Sequence, residues 1–88
     1  MQSDRSTEVV PKQELGDYID IIKHRLESID QPLLKQKYSP SSLIECRSKV
    51  EGQLRVLDMH HKNNFAMYRN VFDDIKLIIS NSFRLLRA

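Results

Sequence analysis

Leu43, Val50, Leu57, Val71, Ile78 and Leu85 stand seven residues apart, and only Asn64 interrupts the series. A second series, Leu54, His61, Tyr68 and Ile75, runs beside it; a third, Phe65, Phe72, Ile79 and Leu86, joins in the later half, with Phe83 alongside. Two turns of α-helix take about 7.2 residues, so each series marks one helical face. From Ser41 to Ala88 the chain holds no proline and one glycine, which leaves that pattern without strong punctuation. Earlier, Leu15, Ile19, Ile22, Leu26 and Ile29 follow spacings of four, three, four and three, an a/d heptad stripe that Tyr18 and Ile21 widen on either side.

Start and stop signals set provisional boundaries. Residues 1–10 are polar until Val9 and Val10 and read as a flexible tail. Pro11 suits the first turn of a helix, where its missing N–H costs nothing, and Pro32 ends that helix near Asp30, giving a first helix over about 11–30. Acidic Glu14, Asp17 and Asp20 precede Lys23 and Arg25, the favourable order along a helix dipole. Gly16 weakens this helix by about 1 kcal/mol relative to alanine. Residues 31–40 form a connection, with Leu33, Leu34 and Tyr38 too apolar for all of it to be free. Ser39 followed by Pro40 matches an N-cap with proline in the first helical position, and Ser42 with Glu45 offers a competing capping box.

Residues 59–64, Met-His-His-Lys-Asn-Asn, admit two readings. Either Asn63 or Asn64 caps a third helix, or the helix continues and residues 41–87 form one long or slightly kinked rod of about 70 Å. Glu45–Lys49, Glu51–Arg55 and Asp58–Lys62 are all four apart with the acid first, an order that supports helix. Turns usually recruit glycine or proline, so continuity is the preferred reading.

Both readings give an all-α class, a helical hairpin or three-helix bundle carrying coiled-coil heptads in one domain over 11–88. In the rod, a first helix of about 28 Å covers only the Leu43–Leu57 portion. Phe65, Tyr68, Val71, Phe72, Ile75, Ile78, Ile79, Phe83, Leu85 and Leu86 would then need helices from a partner or a second copy. A compact bundle buries part of that stripe internally. The expected interface therefore joins those residues to Leu15, Ile19, Ile22, Leu26, Ile29, Leu43, Val50, Leu54 and Leu57. Its expected occupants are protein helices. On this reading Phe72→Asp with Ile79→Asp abolishes assembly and spares the first helix.

Composition narrows the function further. At 88 residues, 40% hydrophobic and 30% charged, the chain is one small domain and too apolar for full disorder. Net charge is +2, divided as four basic and seven acidic side chains in residues 1–34 against ten and five in 35–88. That falls short of the basic density of a nucleic-acid binder, although Arg55, Lys62, Arg69 and Lys76 recur every seven residues and would suit a small DNA-binding regulator if they formed one stripe. Met1–Glu8 lacks the apolar core of a secretory signal, no apolar run approaches a membrane span, and the lone Cys46 fits a reducing compartment. An intracellular location follows as an expectation.

Candidate chemistry is sparse. Adjacent His60 and His61 diverge by about 100° on a helix and do not form an i,i+4 metal pair; His24 has no ligand partner at zinc spacing. Asp73–Asp74 and Asp17/Asp20 read as solvated charges. Cys46 beside Arg47 lacks a resolving cysteine. The sequence predicts no catalytic residue, no metal, no cofactor and no small-molecule substrate. What remains is a non-enzymatic assembly subunit, with a compact three-helix adaptor, chaperone or DNA-binding regulatory domain as the alternative.

Asp17-Tyr18-Ile19, Arg25-Leu26-Glu27, Ser39-Pro40 and Leu43-Ile44, followed by Val50, Leu54, Leu57, Ile75 and Ile79, resemble the small second subunit of the spindle- and kinetochore-associated (Ska) complex over residues 14–87. Ile21, Ile22 and Lys23 depart from that pattern as extra residues. The resemblance implies a coiled-coil subunit of a kinetochore–microtubule attachment complex active in cell division, with microtubule contact made by other subunits. Separately, Phe72-Asp73-Asp74-Ile75-Lys76-Leu77-Ile78-Ile79-Ser80-Asn81-Ser82 resembles the third helix of a bromodomain. The Tyr-Asn pair that reads acetyl-lysine is replaced by Arg84-Leu85-Leu86, so reader function has no anchor.

Overall fold

Ser39 and Pro40 begin the longest helix as their sequence predicts. In the computed structural model, which describes residues 8–86, Ser39 Oγ accepts the Ser42 N–H at 3.3 Å and Pro40 occupies the first turn. The elements are α1 (Lys12–Ser28), α2 (Pro32–Lys37), α3 (Pro40–Lys62) and α4 (Arg69–Arg84). The fold is all-α: α1, α3 and α4 pack together, and the described residues contain no strand beyond a single bridge. Pro11 caps α1 rather than entering it. Within the expected connection, Pro32 opens the one-and-a-half-turn α2, which buries none of its own residues. Tyr38 just beyond it packs against the core.

The preferred reading of one rod from 41 to 87 is corrected at Asn63–Asn64. Asn64 has φ 56°, the left-handed region that asparagine tolerates better than most side chains. The Phe65 N–H then reaches back to His60 O at 3.0 Å, the six-to-one bond of a Schellman motif. Phe65 also sets its ring edge-on against His60, centroids 6.2 Å apart, which is the apolar contact such a motif carries. Asn63 Nδ2 donates to Met59 O at 2.9 Å and Lys12 Nζ donates to Asn64 Oδ1 at 2.6 Å, so the turn is held from both sides. Asparagine does here what glycine or proline was expected to do. Residue 87 lies outside the described residues.

The turn reverses the chain. α1 and α3 run antiparallel: a Cβ on Gly16 would stand 2.9 Å from His61 Nε2, and at the other end Arg47 Nη2 meets Asp30 Oδ1 at 2.5 Å. The glycine that weakens α1 as a helix thus admits the His61 ring. α1 and α4 run parallel, tied by Glu14–Arg69, by Tyr18 edge-on to Phe72 at 5.4 Å, and by the Arg25 guanidinium over the Phe83 ring at 4.0 Å. The result is an up-down-up bundle.

The tail reading covers residues 1–10; residues 1–7 lie outside the described residues, and 8–10 are docked. The Val10 N–H donates to Met67 O at 2.8 Å, the Arg69 N–H donates to Glu8 O at 2.7 Å, and Val9 bridges Tyr68 in the antiparallel sense. Val10 and Met67 are buried in the common core. Val9 and Val10 were therefore the signal of a strap rather than the end of a loose segment.

Candidate interaction surface

Breaking the helix at Asn64 also resets its phase. In α3 the first heptad series faces inward, with Leu43, Val50 and Leu57 buried. Its continuation in α4 faces outward: Val71, Ile78 and Leu85 are 42%, 44% and 39% exposed. The third series takes over the core of α4 through Phe72 and Ile79, helped by Ile75 and Phe83. Each outward residue precedes Phe72, Ile79 or Leu86 by one position, so the strip lies about 100° round the helix from the core line.

Most of the expected interface therefore closes on the chain itself. Leu15, Ile19, Ile22, Leu26 and Ile29 meet Leu43, Val50, Leu54 and Leu57, and Phe72, Ile75, Ile79 and Phe83 join them in one buried cluster. Leu86 packs half-buried against it, while Phe65, Tyr68, Val71 and Ile78 remain exposed. Leu85 belongs with these four. The heptad period alone does not say which of two adjacent series is inside.

The strip has a defined place. Arg69 and Lys76 lie on the flank of α4 that meets α1, since Arg69 pairs with Glu14 and Lys76 Nζ sits 6.0 Å from the Tyr18 ring centroid. Val71, Ile78 and Leu85 lie on the other flank. There the outer side of α3 contributes Val56, exposed, and Gln53, half-buried. Two packed helices leave a furrow between them, and by helical phase the strip on α4 and these two residues on α3 border that channel.

The α1–α4 side carries structural contacts. A groove of about 490 Å³ between α1 and α4 is lined by Glu14, Asp17, Tyr18, Ile21, Phe72 and Lys76. Two of its charged groups are engaged: Arg69 grips Glu14 through a two-pronged contact, one arm at 2.9 Å, and Lys76 stands 4.8 Å from the Phe72 ring centroid. The Arg69 hydrogen bonds hold the Glu14 carboxyl below its usual range. Burial raises the Tyr18 phenol. Because Glu14 has its proton affinity lowered by folding, its contribution is complete above the ordinary glutamate pKa and is lost as pH falls through the lower folded value. Thermal melts at descending pH should therefore steepen for the wild type below about pH 4.3. In Glu14→Gln that part of the acid sensitivity should be missing; identical acid profiles would remove Glu14 from this role.

Residues singled out for chemistry scatter. His61 lies against Gly16, whereas His60 Nδ1 is 2.9 Å from Val56 O, so the two imidazoles serve different helices. Among the described residues no three His, Cys, Asp or Glu side chains are placed to hold a metal ion, and no helix is long and apolar enough to cross a membrane. Cys46 is wholly buried, and that burial pushes its thiol pKa up against the opposing pull of the Arg25, Arg47 and Lys49 charges. The basic series Arg55, Lys62, Arg69 and Lys76 is divided by the turn between two antiparallel helices, with Arg69 drawn into ion pairs with Glu14 and Glu8. Asp58 turns to Lys23 across the α1–α3 face at 3.7 Å.

The geometry defines a small up-down-up helical bundle with a heptad-spaced apolar strip exposed on α4. Compared with models of known families, with curated proteins and with solved structures, the chain matches none.

Proposed function

We propose that the chain is a non-enzymatic protein–protein assembly module that receives a partner helix in the channel between α3 and α4. The observation carrying this reading is the Val71–Ile78–Leu85 series, exposed at seven-residue spacing on a helix whose other apolar face is already buried. A folded helix needs one apolar face for its own core. A second face at coiled-coil period suits knobs of another helix seated between α3 and α4. Completing three helices with a fourth is a recurrent way to bury such a channel. The compact bundle makes this closer to the adaptor than to the extended subunit expected from continuous heptads. Within the class, a place in a kinetochore–microtubule attachment complex rests on the Ska resemblance alone.

A display library of heptad-patterned helical peptides tests the reading. Selection on the wild-type bundle should enrich peptides whose affinity falls by more than about tenfold, 1.4 kcal/mol, on Ile78→Asp. Leu77→Asp on the outer face of α4 should leave them bound. Failure to enrich any helix, or binding indifferent to Ile78→Asp, overturns the proposal.

A further inference from the structure

Independently of the channel, we infer that the end of the bundle carrying α2 docks on an anionic lipid surface, with Leu33 inserted among the lipid chains and Lys35 and Lys37 at the headgroups.

α2 stands where α1 ends, α3 begins and α4 ends. On one side of it lies a groove of about 250 Å³ that Lys35 shares with Ile29, Pro40, Leu43 and Ile44. On the other lies a smaller groove that Leu34 shares with Ile29, Phe83 and Leu86. Leu34 and Lys35 therefore mark the edge of α2 turned toward the bundle. With about 100° between successive residues, Leu33 and Lys37 fall together on the opposite edge. Leu33 is 76% exposed, and α2 buries none of its residues. The bundle gains almost no burial from this leucine.

The charge around α2 has one sign. Residues 31–43 hold Lys35 and Lys37 and no acid, and Arg84 stands in the last turn of α4. Among the described residues none of these three cations forms an ion pair. Asp30, just before the segment, is held by Arg47 at 2.5 Å, and Glu45 further along α3 is taken by Lys49.

Shape and charge together choose the occupant. A protein partner would have to bring a concave pocket for Leu33, because Leu33 is itself the projecting group and both grooves lie on the inner side of α2. A bilayer needs no matching pocket: the leucine enters between lipid chains while the lysine ammonium groups reach up to the phosphates. Anionic headgroups attract each lysine near the surface, which supplements what a single leucine supplies. Ile44, 67% exposed beside the Lys35 groove, adds a second apolar contact.

Sedimentation of the full chain with vesicles tests this. Phosphatidylcholine vesicles containing phosphatidylserine should carry the chain into the pellet, and phosphatidylcholine alone should not. Added salt should release it by screening the surface charge. Leu33→Asp, and separately Lys35→Glu with Lys37→Glu, should each weaken binding at least about tenfold. Leu77→Asp on the outer face of α4 should bind as the wild type does. Because α2 buries none of its residues, the α2 variants should keep the helical spectrum of the bundle. The chain contains no tryptophan, so Leu33→Trp reads insertion directly: its emission should move to the blue on anionic vesicles, while that of Leu77→Trp stays in place. A chain left in the supernatant by anionic vesicles, equal binding to neutral ones, or an unmoved Leu33→Trp emission overturns the inference. Binding lost with the two lysines but kept in Leu33→Asp would mean adhesion without insertion, and also overturns it. Capture by an acidic peptide through the same lysines, with vesicles ignored, would overturn it in favour of a protein partner.

Discussion

Phe72→Ala should cost about 3–5 kcal/mol of folding stability, the range for removing a buried aromatic from a core that only partly relaxes. Phe72 is 1% exposed and lies where α1 and α4 meet, with Tyr18 edge-on to its ring and Lys76 near its face. Natural domains hold only about 5–15 kcal/mol in total, and one this small buries a modest share of its surface. The substitution therefore removes a large part of the margin. In a domain of this size each kcal/mol moves the thermal midpoint about 4–8 °C, so a fall of more than ten degrees is expected by circular dichroism. A midpoint within a few degrees of wild type would mean that Phe72 does not face the core. The paired change Phe72→Asp with Ile79→Asp, which the rod reading treats as a clean test of assembly, should instead abolish the fold, because both side chains are internal.

Leu57→Ala should cost about 2–5 kcal/mol. Leu57 is fully buried on α3, the helix that packs against both α1 and α4, so its truncation opens a cavity in the shared core. The neighbouring Val56→Ala is the matched comparison. Val56 lies on the outer flank of the same turn, and its truncation should stay within about 0.5 kcal/mol. Urea unfolding of the two variants separates them; similar midpoints would mean that α3 is rotated from the position described.

Much of the bundle was legible because local chemistry dictates it. The four-three spacing of Leu15, Ile19, Ile22, Leu26 and Ile29 becomes the buried face of α1 and its cap. The Ser39–Pro40 start is seen as read. The strap at Val9–Val10 was harder to read, since two valines gain β character only when an extended partner such as Ala66–Tyr68 comes alongside. The turn at Asn63–Asn64 was underweighted for a related reason. An asparagine in the left-handed region carries an intrinsic cost, and what repays it lies outside the turn: Lys12 on Asn64, and the α4 core residues brought back against α1.

The same turn decided the candidate surface. By itself the sequence determined that the chain is helical, that apolar residues return every seven positions, and roughly where α1 and α3 begin. Periodicity is a property of neighbours along one helix, so it survives any packing arrangement. Only the tertiary structure decided which series is buried, because a reversal between helices rotates the second relative to the first and lets a new face meet the core. Leu43, Val50 and Leu57 went inside, while Val71, Ile78 and Leu85, members of the same written series, were left at the surface.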